Sequence, residues 1–270
     1  MSHTCLLADR SLIQVSGDDA DDFLQNLVTC SLDKVDEITF AHGGLLTPQG
    51  KVLFEFVVSK GSAGFWLNVH QPLAAELVRR LTFYRLRAKV DLTLLDRPVG
   101  ISWPSNAGDS AADPRNAELG SWSYGGMVNP NSQPKQWHAH RIELGIPLIG
   151  HDYEAGTQFP HDILMDETGG VDFEKGCYVG QEVVSRMQHR GTARNRLAMV
   201  RSKPDLPAAG TPLEANGRQI GVMGSSVNGR GLAIVRIDRA VAAQNNGEAI
   251  TASGVTVEIS KPINARYEWA

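Results

Sequence analysis

Cysteine is scarce in this sequence, whose 270 residues include three: Cys5, Cys30 and Cys177. The number is odd and no C-x-x-C spacing occurs, so a disulfide framework and an all-protein zinc or iron–sulfur site are both disfavoured. No apolar run approaches the length that crosses a bilayer, and the N-terminus lacks the pattern of a signal or transit peptide. These absences predict a cytoplasmic protein with no membrane association and no metal site.

Concentrated positive charge is also absent. The formal net charge is −4 and the basic residues are dispersed, which disfavours direct binding of nucleic acid, because phosphate binding needs a concentrated basic face. One local basic cluster consists of Arg186, Arg190, Arg194 and Arg196. A solvated surface is the preferred interpretation of this cluster, and binding of a small anion stays open.

Hydrophobic periodicity predicts an α+β fold. Alternating apolar residues predict strands over 11–16, 51–58, 64–69 and 90–94. A helix is predicted to begin at Gln71, because a proline follows it and leucines recur at helical spacing. This order of elements contains the split β-α-β pattern of ferredoxin-like domains.

Two further regions differ in composition and hydrophobic pattern. Residues 104–134 are rich in Pro, Gly, Ser, Asn and Asp, which predicts a loop. From residue 196 to 270, short apolar segments alternate with turn signals, which predicts a small all-β barrel. The turn signals are Asn216-Gly217, Asn228-Gly229, Asn246-Gly247 and Gly254.

The segment Lys175-Gly176-Cys177-Tyr178-Val179-Gly180-Gln181-Glu182 concentrates reactive side chains; we call it the cysteine motif. Its glycines permit tight turns or close approach of the backbone to a ligand. A helix is predicted from Gln181, so Cys177 should lie shortly before a helix N-terminus and two residues from Lys175. Both features favour thiolate over thiol. The alternative, a small buried cysteine, stays open on these residues alone.

A second notable segment, 141–147, carries Glu143 just before a glycine. Alone, Glu143 is best interpreted as part of a surface salt bridge. Together with the cysteine motif it becomes a candidate ligand, because a carboxylate accepts two parallel hydrogen bonds from a planar N–H edge such as that of a pterin. His138 and His140, two apart on a helix, are not expected to converge on a metal.

The cysteine motif, followed by an arginine, resembles the signature of the YgfZ-type tetrahydrofolate-binding proteins. These are relatives of the glycine-cleavage T-protein (aminomethyltransferase) and include a mitochondrial iron–sulfur assembly member. Segments 23–29, 46–51, 141–147 and 169–174 are similar to other stretches of that family. The resemblance implies two ferredoxin-like lobes, potentially interleaved, over residues 1–195. A folate cleft would lie between these lobes, and a β-barrel would follow at the C-terminus.

The resemblance also implies a function. The family supports iron–sulfur cluster assembly or maintenance, with effects on tRNA modification through radical enzymes that carry clusters. The implied cofactor is tetrahydrofolate or a derivative, and the implied partners are iron–sulfur client proteins or assembly factors. Carried over by position, Lys175 and Cys177 form the reactive site, and the folate-binding residues are Glu143, Tyr178, Gln181, Glu182 and Arg186.

Departures from the family matter as well. Leu53-Phe54 stand where the T-protein has a pair of aspartates, one of them catalytic, and Cys30-Ser31 stand where YgfZ sequences often have an Asp. Aminomethyl transfer is therefore not expected. The alternative function, a folate-dependent aminomethyl or one-carbon transferase, needs an acid that these positions lack, and whether the chain is an enzyme stays open.

Overall fold

The computed structural model describes residues 2–105, 111–126 and 129–269, in which fifteen β-strands and five α-helices lie. The strands are β1 (His3–Leu6), β2 (Arg10–Ser16), β3 (Ala41–Leu46), β4 (Val52–Gly61), β5 (Gly64–His70), β6 (Asp91–Leu95), β7 (Val99–Trp103), β8 (Ser121–Tyr124), β9 (Asn195–Arg201), β10 (Pro212–Ala215), β11 (Arg218–Val227), β12 (Arg230–Arg236), β13 (Ile250–Ala252), β14 (Val255–Thr256) and β15 (Glu258–Ser260). The helices are α1 (Ala20–Gln25), α2 (Gln71–Arg85), α3 (Pro134–Glu143), α4 (Gln181–Arg190) and α5 (Ile237–Asn245). Within the described ranges, none of these helices has the length and apolarity needed to cross a bilayer.

The first lobe is a five-stranded antiparallel sheet in the order β3-β4-β5-β2-β6, with α1 and α2 packed on it. α2 begins directly after β5. Pro72 lies in its first turn, where proline favours helix initiation because its missing N–H removes no helical hydrogen bond. Leu77 and Leu81 of α2 are buried in the core of this lobe. The strands and the helix predicted from periodicity are confirmed here.

A smaller lobe contains strands from two distant parts of the chain. β7 pairs with β1 on one side and with β8 on the other. The chain therefore leaves this lobe after β1, builds the five-stranded sheet and returns at β7, so the two lobes are interleaved. Trp122 of β8 packs edge-on against Trp137 of α3, with ring centroids 5.9 Å apart.

The C-terminal part is a seven-stranded antiparallel sheet in the order β14-β13-β10-β11-β12-β9-β15. Its two outermost strands, β14 and β15, are consecutive in the chain, so the sheet nearly closes into a barrel. Asn216-Gly217 and Asn228-Gly229 have positive φ at both residues, as two-residue hairpin turns require. The predicted α+β fold class with a C-terminal barrel is confirmed.

Two local predictions are wrong. The predicted loop at 104–134 contains strand β8 and the first residue of α3, and 106–110 and 127–128 within it lie outside the described residues. Asn246-Gly247 does not join two strands but follows α5. Ile237, Ala240 and Ala243 recur at intervals of three on the buried face of that helix, a period that a strand cannot use.

Candidate functional site

A cleft of about 500 Å³ opens beside the segment that leads into the cysteine motif. Cys30 and His42 of the first lobe line one side, and residues 171–174 line the other. Asp172 shapes this second side, because its Oδ1 accepts the backbone N–H groups of residues 174 and 175 at 2.9 and 3.1 Å. Partial burial opposes its ionisation, but the hydrogen bond from Lys34 and these two N–H groups lower the pKa of Asp172.

Lys175 is held by the first lobe. Its Nζ donates to the carbonyl oxygens of Gln25, Val28 and Cys30 at 2.7, 2.7 and 2.8 Å, and burial lowers the pKa of the ammonium. These carbonyls end and follow α1, where helical carbonyls lack backbone partners. All three N–H donors of Lys175 are used in this way. The expectation that Lys175 acts on Cys177 is therefore not supported by its geometry, and the structure gives it an anchoring role.

The end of the cysteine motif docks against the turn between β3 and β4. Gly180 has φ +83°, and a Cβ there would lie 2.5 Å from the carbonyl oxygen of Thr47. Gly50 of the same turn has φ +80°, and a Cβ there would lie 3.1 Å from Val183 of α4. Close approach therefore requires glycine at both positions. Gly176 differs, since a Cβ there would meet open space, so close approach to a ligand stays a prediction at that position.

Cys177 is exposed, whereas Cys5 and Cys30 are buried. Burial raises the pKa of Cys5 to about 11 and that of Cys30 to about 12. α4 begins at Gln181, as predicted, so three residues separate the exposed thiol from the helix N-terminus. The alternative of a buried Cys177 is wrong.

Tyr178 points into the protein. Its side chain belongs to the core that joins the first lobe, α4 and the barrel, and Nζ of Lys175 lies 5.6 Å from its ring centroid. The hydroxyl is buried and has no hydrogen-bond partner among the described residues. Burial, reinforced by the charge of Asp172, raises the pKa of Tyr178 to about 12. A buried donor without a partner is uncommon and marks this position for a ligand or a water molecule.

The other motif residues lie at or near the surface of α4. Nε2 of Gln181 donates to the carbonyl oxygen of Gly176 at 3.4 Å, near the limit for a hydrogen bond. Glu182 and Arg186 form an exposed ion pair one helical turn apart. Such pairs contribute little stability, so both side chains can turn to a ligand at small cost.

The basic cluster near α4 is divided by the fold. Arg190 and Arg194 are exposed, whereas Arg196 is buried and its Nη1 lies 2.8 Å from both carboxylate oxygens of Asp166. Only part of the cluster predicted from sequence is therefore free to attract an anion.

Glu143 lies at the last residue of α3 and forms an ion pair with Arg230 of β12, both side chains being about half exposed. This is the surface salt bridge that the residues alone indicate. No hydrogen bond or ion pair among the described residues links Glu143 to the cysteine motif, so the structure does not bring these two predicted parts of the site into contact.

Sequence reasoning missed a buried network around Glu55. Its carboxylate accepts hydrogen bonds from the hydroxyl of Tyr153 at 2.6 Å and from Nη1 of Arg115 and the backbone N–H of Ile149, both at 3.2 Å, and it lies 3.0 Å from Nε2 of His42. Burial opposes ionisation, but the hydrogen bond and charge of His42 and the charge of Arg115 lower the pKa of Glu55 well below its ordinary range. These residues are far apart in sequence, so no local pattern signals the network.

Leu53 and Phe54 precede this carboxylate in β4. Both pack against the core of the first lobe and carry no polar group. Glu55, the next acid along the strand, points to the opposite face, where the network above uses both of its oxygens. No carboxylate at 53–55 is therefore available to act on an amine.

The whole fold is similar to a solved enzyme structure. The crystal structure of the glycine cleavage system aminomethyltransferase T from Bartonella henselae superposes with a TM-score of 0.72, covering 97% of this chain and 86% of that one at 14% identity. Residues 194–267 match the C-terminal β-barrel domain of CAF17. The fold thus defines an aminomethyltransferase-like protein with a CAF17-type barrel.

Three relatives narrow this class, all of them mitochondrial iron–sulfur cluster assembly factors named IBA57 or IBA57 homolog. The one from Neurospora crassa is 32% identical over 76% of this chain and 56% of its own length, and the one from Pyricularia oryzae is 31% identical over 86% and 71%. The human protein is 30% identical over 85% of this chain and 76% of its own length. The chain therefore belongs to the IBA57 family of iron–sulfur cluster assembly factors.

Two consequences follow for the expectations from sequence. Membership of the IBA57 family confirms the predicted relationship to iron–sulfur cluster assembly factors, whereas YgfZ-type folate binding stays a prediction. The cytoplasmic location predicted from the sequence is wrong, because these relatives are mitochondrial proteins.

Proposed function

We propose that this chain supports the assembly or maintenance of iron–sulfur clusters in client proteins, and that Cys177 contacts the cluster or its iron as cargo. The relatives' role in cluster assembly supports the first part. The exposed thiol carries the second part, because thiolate sulfur is the usual protein ligand of iron–sulfur clusters. One cysteine does not hold a cluster alone, so a partner protein must supply the other ligands.

The test compares Cys177→Ser with Gly176→Ala. Cys177→Ser should fold normally, because the side chain is exposed. It should fail to support cluster-dependent enzymes in cells that lack the wild-type protein, because a serine hydroxyl does not ionise at neutral pH and does not bind iron as a soft thiolate does. Gly176→Ala changes the neighbouring residue, has room for its methyl group and keeps the thiol, so it should complement fully. Full complementation by Cys177→Ser would remove Cys177 from the proposal.

Tetrahydrofolate or a derivative is proposed to bind at the cleft. A volume of about 500 Å³ is within the range of small-molecule sites. His42, which lines the cleft, has a buried Nδ1 with no partner among the described residues, and this unpaired atom supports binding of a ligand there. The hydroxyl of Tyr178 is also buried and unpaired among these residues, and Tyr178 lies outside the cleft lining. Gln181, Glu182 and Arg186 are proposed to contact its polar tail.

Glu143 is proposed to anchor the pterin after leaving Arg230. This exchange costs about 1 kcal/mol or less, because both partners are half exposed. Calorimetry with tetrahydrofolate should show saturable binding that Glu143→Gln weakens by about 1–3 kcal/mol, since an acceptor oxygen is replaced by a donor facing the ring. Glu258→Gln, at an exposed position on β15, is the matched control and should bind normally. Unchanged affinity of Glu143→Gln would remove Glu143 from the site, and absence of saturable binding would refute the folate proposal.

A further inference from the structure

A second cluster of chemically active side chains lies outside the cysteine motif. Asp9, His70 and His151 each offer one donor atom, and these atoms all lie within 4.8 Å of one another. They come from the turn between β1 and β2, the last residue of β5 and the loop after α3. The function proposed above does not use them.

The contacts within the cluster are polar. Nε2 of His151 lies 2.9 Å from Oδ2 of Asp9, and Nε2 of His138 lies 3.6 Å from the same oxygen. The ring centroid of His151 lies 4.8 Å from that of His138 and 5.3 Å from that of His70. Three imidazoles and one carboxylate therefore lie close together.

The backbone around the cluster is fixed. The carbonyl oxygen of Asp9 accepts the N–H of Gln71 at 2.7 Å, which ties the β1–β2 turn to the start of α2. Gly150 packs so closely on the ring of His70 that a Cβ there would lie 2.4 Å from its Nε2. Such support positions donor atoms in advance of a ligand.

His138 is oriented by a neighbour. Its Nδ1 accepts a hydrogen bond from Nε of Arg141 at 3.1 Å, so its Nε2 is the nitrogen that faces Asp9. Arg141 is fully buried and is itself held by Asp152 at 2.7 Å. Because Nδ1 accepts, the hydrogen of a neutral His138 ring lies on Nε2, so an N–H faces Asp9 and His138 is a neighbour of the cluster and not a metal donor.

The cluster has a route to solvent. His151 also lines a cavity of about 530 Å³ that the 150–158 loop shares with barrel strands β11 and β12. An ion or a small molecule can approach the cluster from that side.

We propose that Asp9, His70 and His151 bind one divalent first-row transition metal ion, Fe²⁺ or Zn²⁺. Two imidazoles and one carboxylate form a set that both ions accept, whereas Mg²⁺ and Ca²⁺ prefer oxygen donors throughout. Ligands at 2.0–2.1 Å from a tetrahedral ion lie about 3.3–3.4 Å apart, so the side chains close on the ion by rotation from their present spacing. Three protein donors leave a coordination position open toward the cavity.

Calorimetry on the untagged, metal-stripped chain tests the proposal, with Zn²⁺ in air and Fe²⁺ under anaerobic conditions. Cys177→Ser serves as the background, since it removes the exposed thiol as a competing ligand. One ion should bind per chain, and His70→Gln and His151→Gln should each weaken binding at least about tenfold. Gln at 151 still offers an amide N–H to Asp9, so a cluster that serves only as a hydrogen-bonded joint would show no such change. His189→Gln, at an exposed position on α4, is the control and should bind normally.

X-ray absorption on the zinc-loaded wild-type chain decides the ligand set without relying on any variant. Imidazole and oxygen scatterers at about 2.0–2.1 Å are expected, and no sulfur at about 2.3 Å. A sulfur shell, a lack of stoichiometric binding, or binding that both ligand variants leave unchanged would each overturn the assignment. Relative affinities in the two titrations then identify the preferred ion.

Discussion

Alkylation of the folded chain should modify Cys177 long before Cys5 or Cys30, because the thiolate is the reactive form. Burial, with the charge of Asp9, raises the pKa of Cys5 to about 11; burial also raises that of Cys30 to about 12, although the charge of Lys175 opposes the increase. Against a free thiol of pKa about 8.5, their thiolate populations at pH 7 fall by roughly 300-fold and 3,000-fold. The greater nucleophilicity of more basic thiolates recovers about half of each logarithm, leaving reactivity lower by roughly 20-fold for Cys5 and roughly 60-fold for Cys30. Exclusion of the reagent widens the gap, since Cys5 is 0% and Cys30 2% exposed.

The assay is a timed pulse of iodoacetamide, quenched and read by peptide mass spectrometry, with glutathione in the same tube as the free-thiol standard. Cys177 should be labelled first, and the other two should lag behind the standard by at least the factors above. Labelling in guanidinium chloride is the control, because unfolding should bring all three cysteines to similar rates. Comparable rates for Cys30 and Cys177 in the folded chain would show that burial does not govern thiol reactivity here and would remove the distinction on which the proposed role rests.

Two further perturbations test the anchoring of the motif and the buried network. Lys175→Met should lower the free energy of unfolding by about 2–4 kcal/mol, because three carbonyls lose a charged donor, whereas Lys34→Met, at an exposed position, should cost clearly less. Equal losses in urea melts would contradict the anchoring role. Glu55→Gln should cost about 3–5 kcal/mol at pH 7, since it leaves the buried charge of Arg115 without this partner. Despite the opposing effect of burial, the hydrogen bond and charge of His42 lower the pKa of Glu55, so its stabilisation is present above the unfolded-state pKa of about 4.3 and is lost as the pH falls below it. The stability gap between wild type and Glu55→Gln should therefore narrow progressively as the pH falls below about 4.3, and a gap that stays constant with pH would refute the assignment.

The sequence predicted those strands, helices and turns that are determined by residues close together in the chain. β2 and β5 follow from alternation, and α2 follows from a proline at its first turn and from Leu77 and Leu81 on one face. The hairpin turns at 216–217 and 228–229 follow from Asn-Gly pairs, which accept positive φ at both residues. Each of these signals acts within a few residues, so the sequence carries it in full.

Elements defined by distant partners were missed for the opposite reason. β8 is four residues long and lies in a segment of turn-forming composition, so its pairing with β7 rather than its own propensity makes it a strand. The network at Glu55 joins residues from 42 to 153, and the cluster at Asp9 joins residues from 9 to 151. The spacing of residues in the sequence does not indicate these contacts, because they form only when the two interleaved lobes pack together.

The cysteine motif combines both kinds of information. Lys175 and Gly180 make the segment recognisable in the sequence, and in the structure they fasten its two ends, one to the carbonyls after α1 and the other to the turn at Thr47. All three N–H donors of Lys175 are used in this attachment. Exposure of Cys177 is therefore a consequence of how the segment is attached, and a change at either attachment point should alter presentation of the thiol to a partner even where its chemistry is unchanged. In the function proposed above, the motif places the thiol of Cys177 at the surface, and a client protein supplies the partner that reaches it.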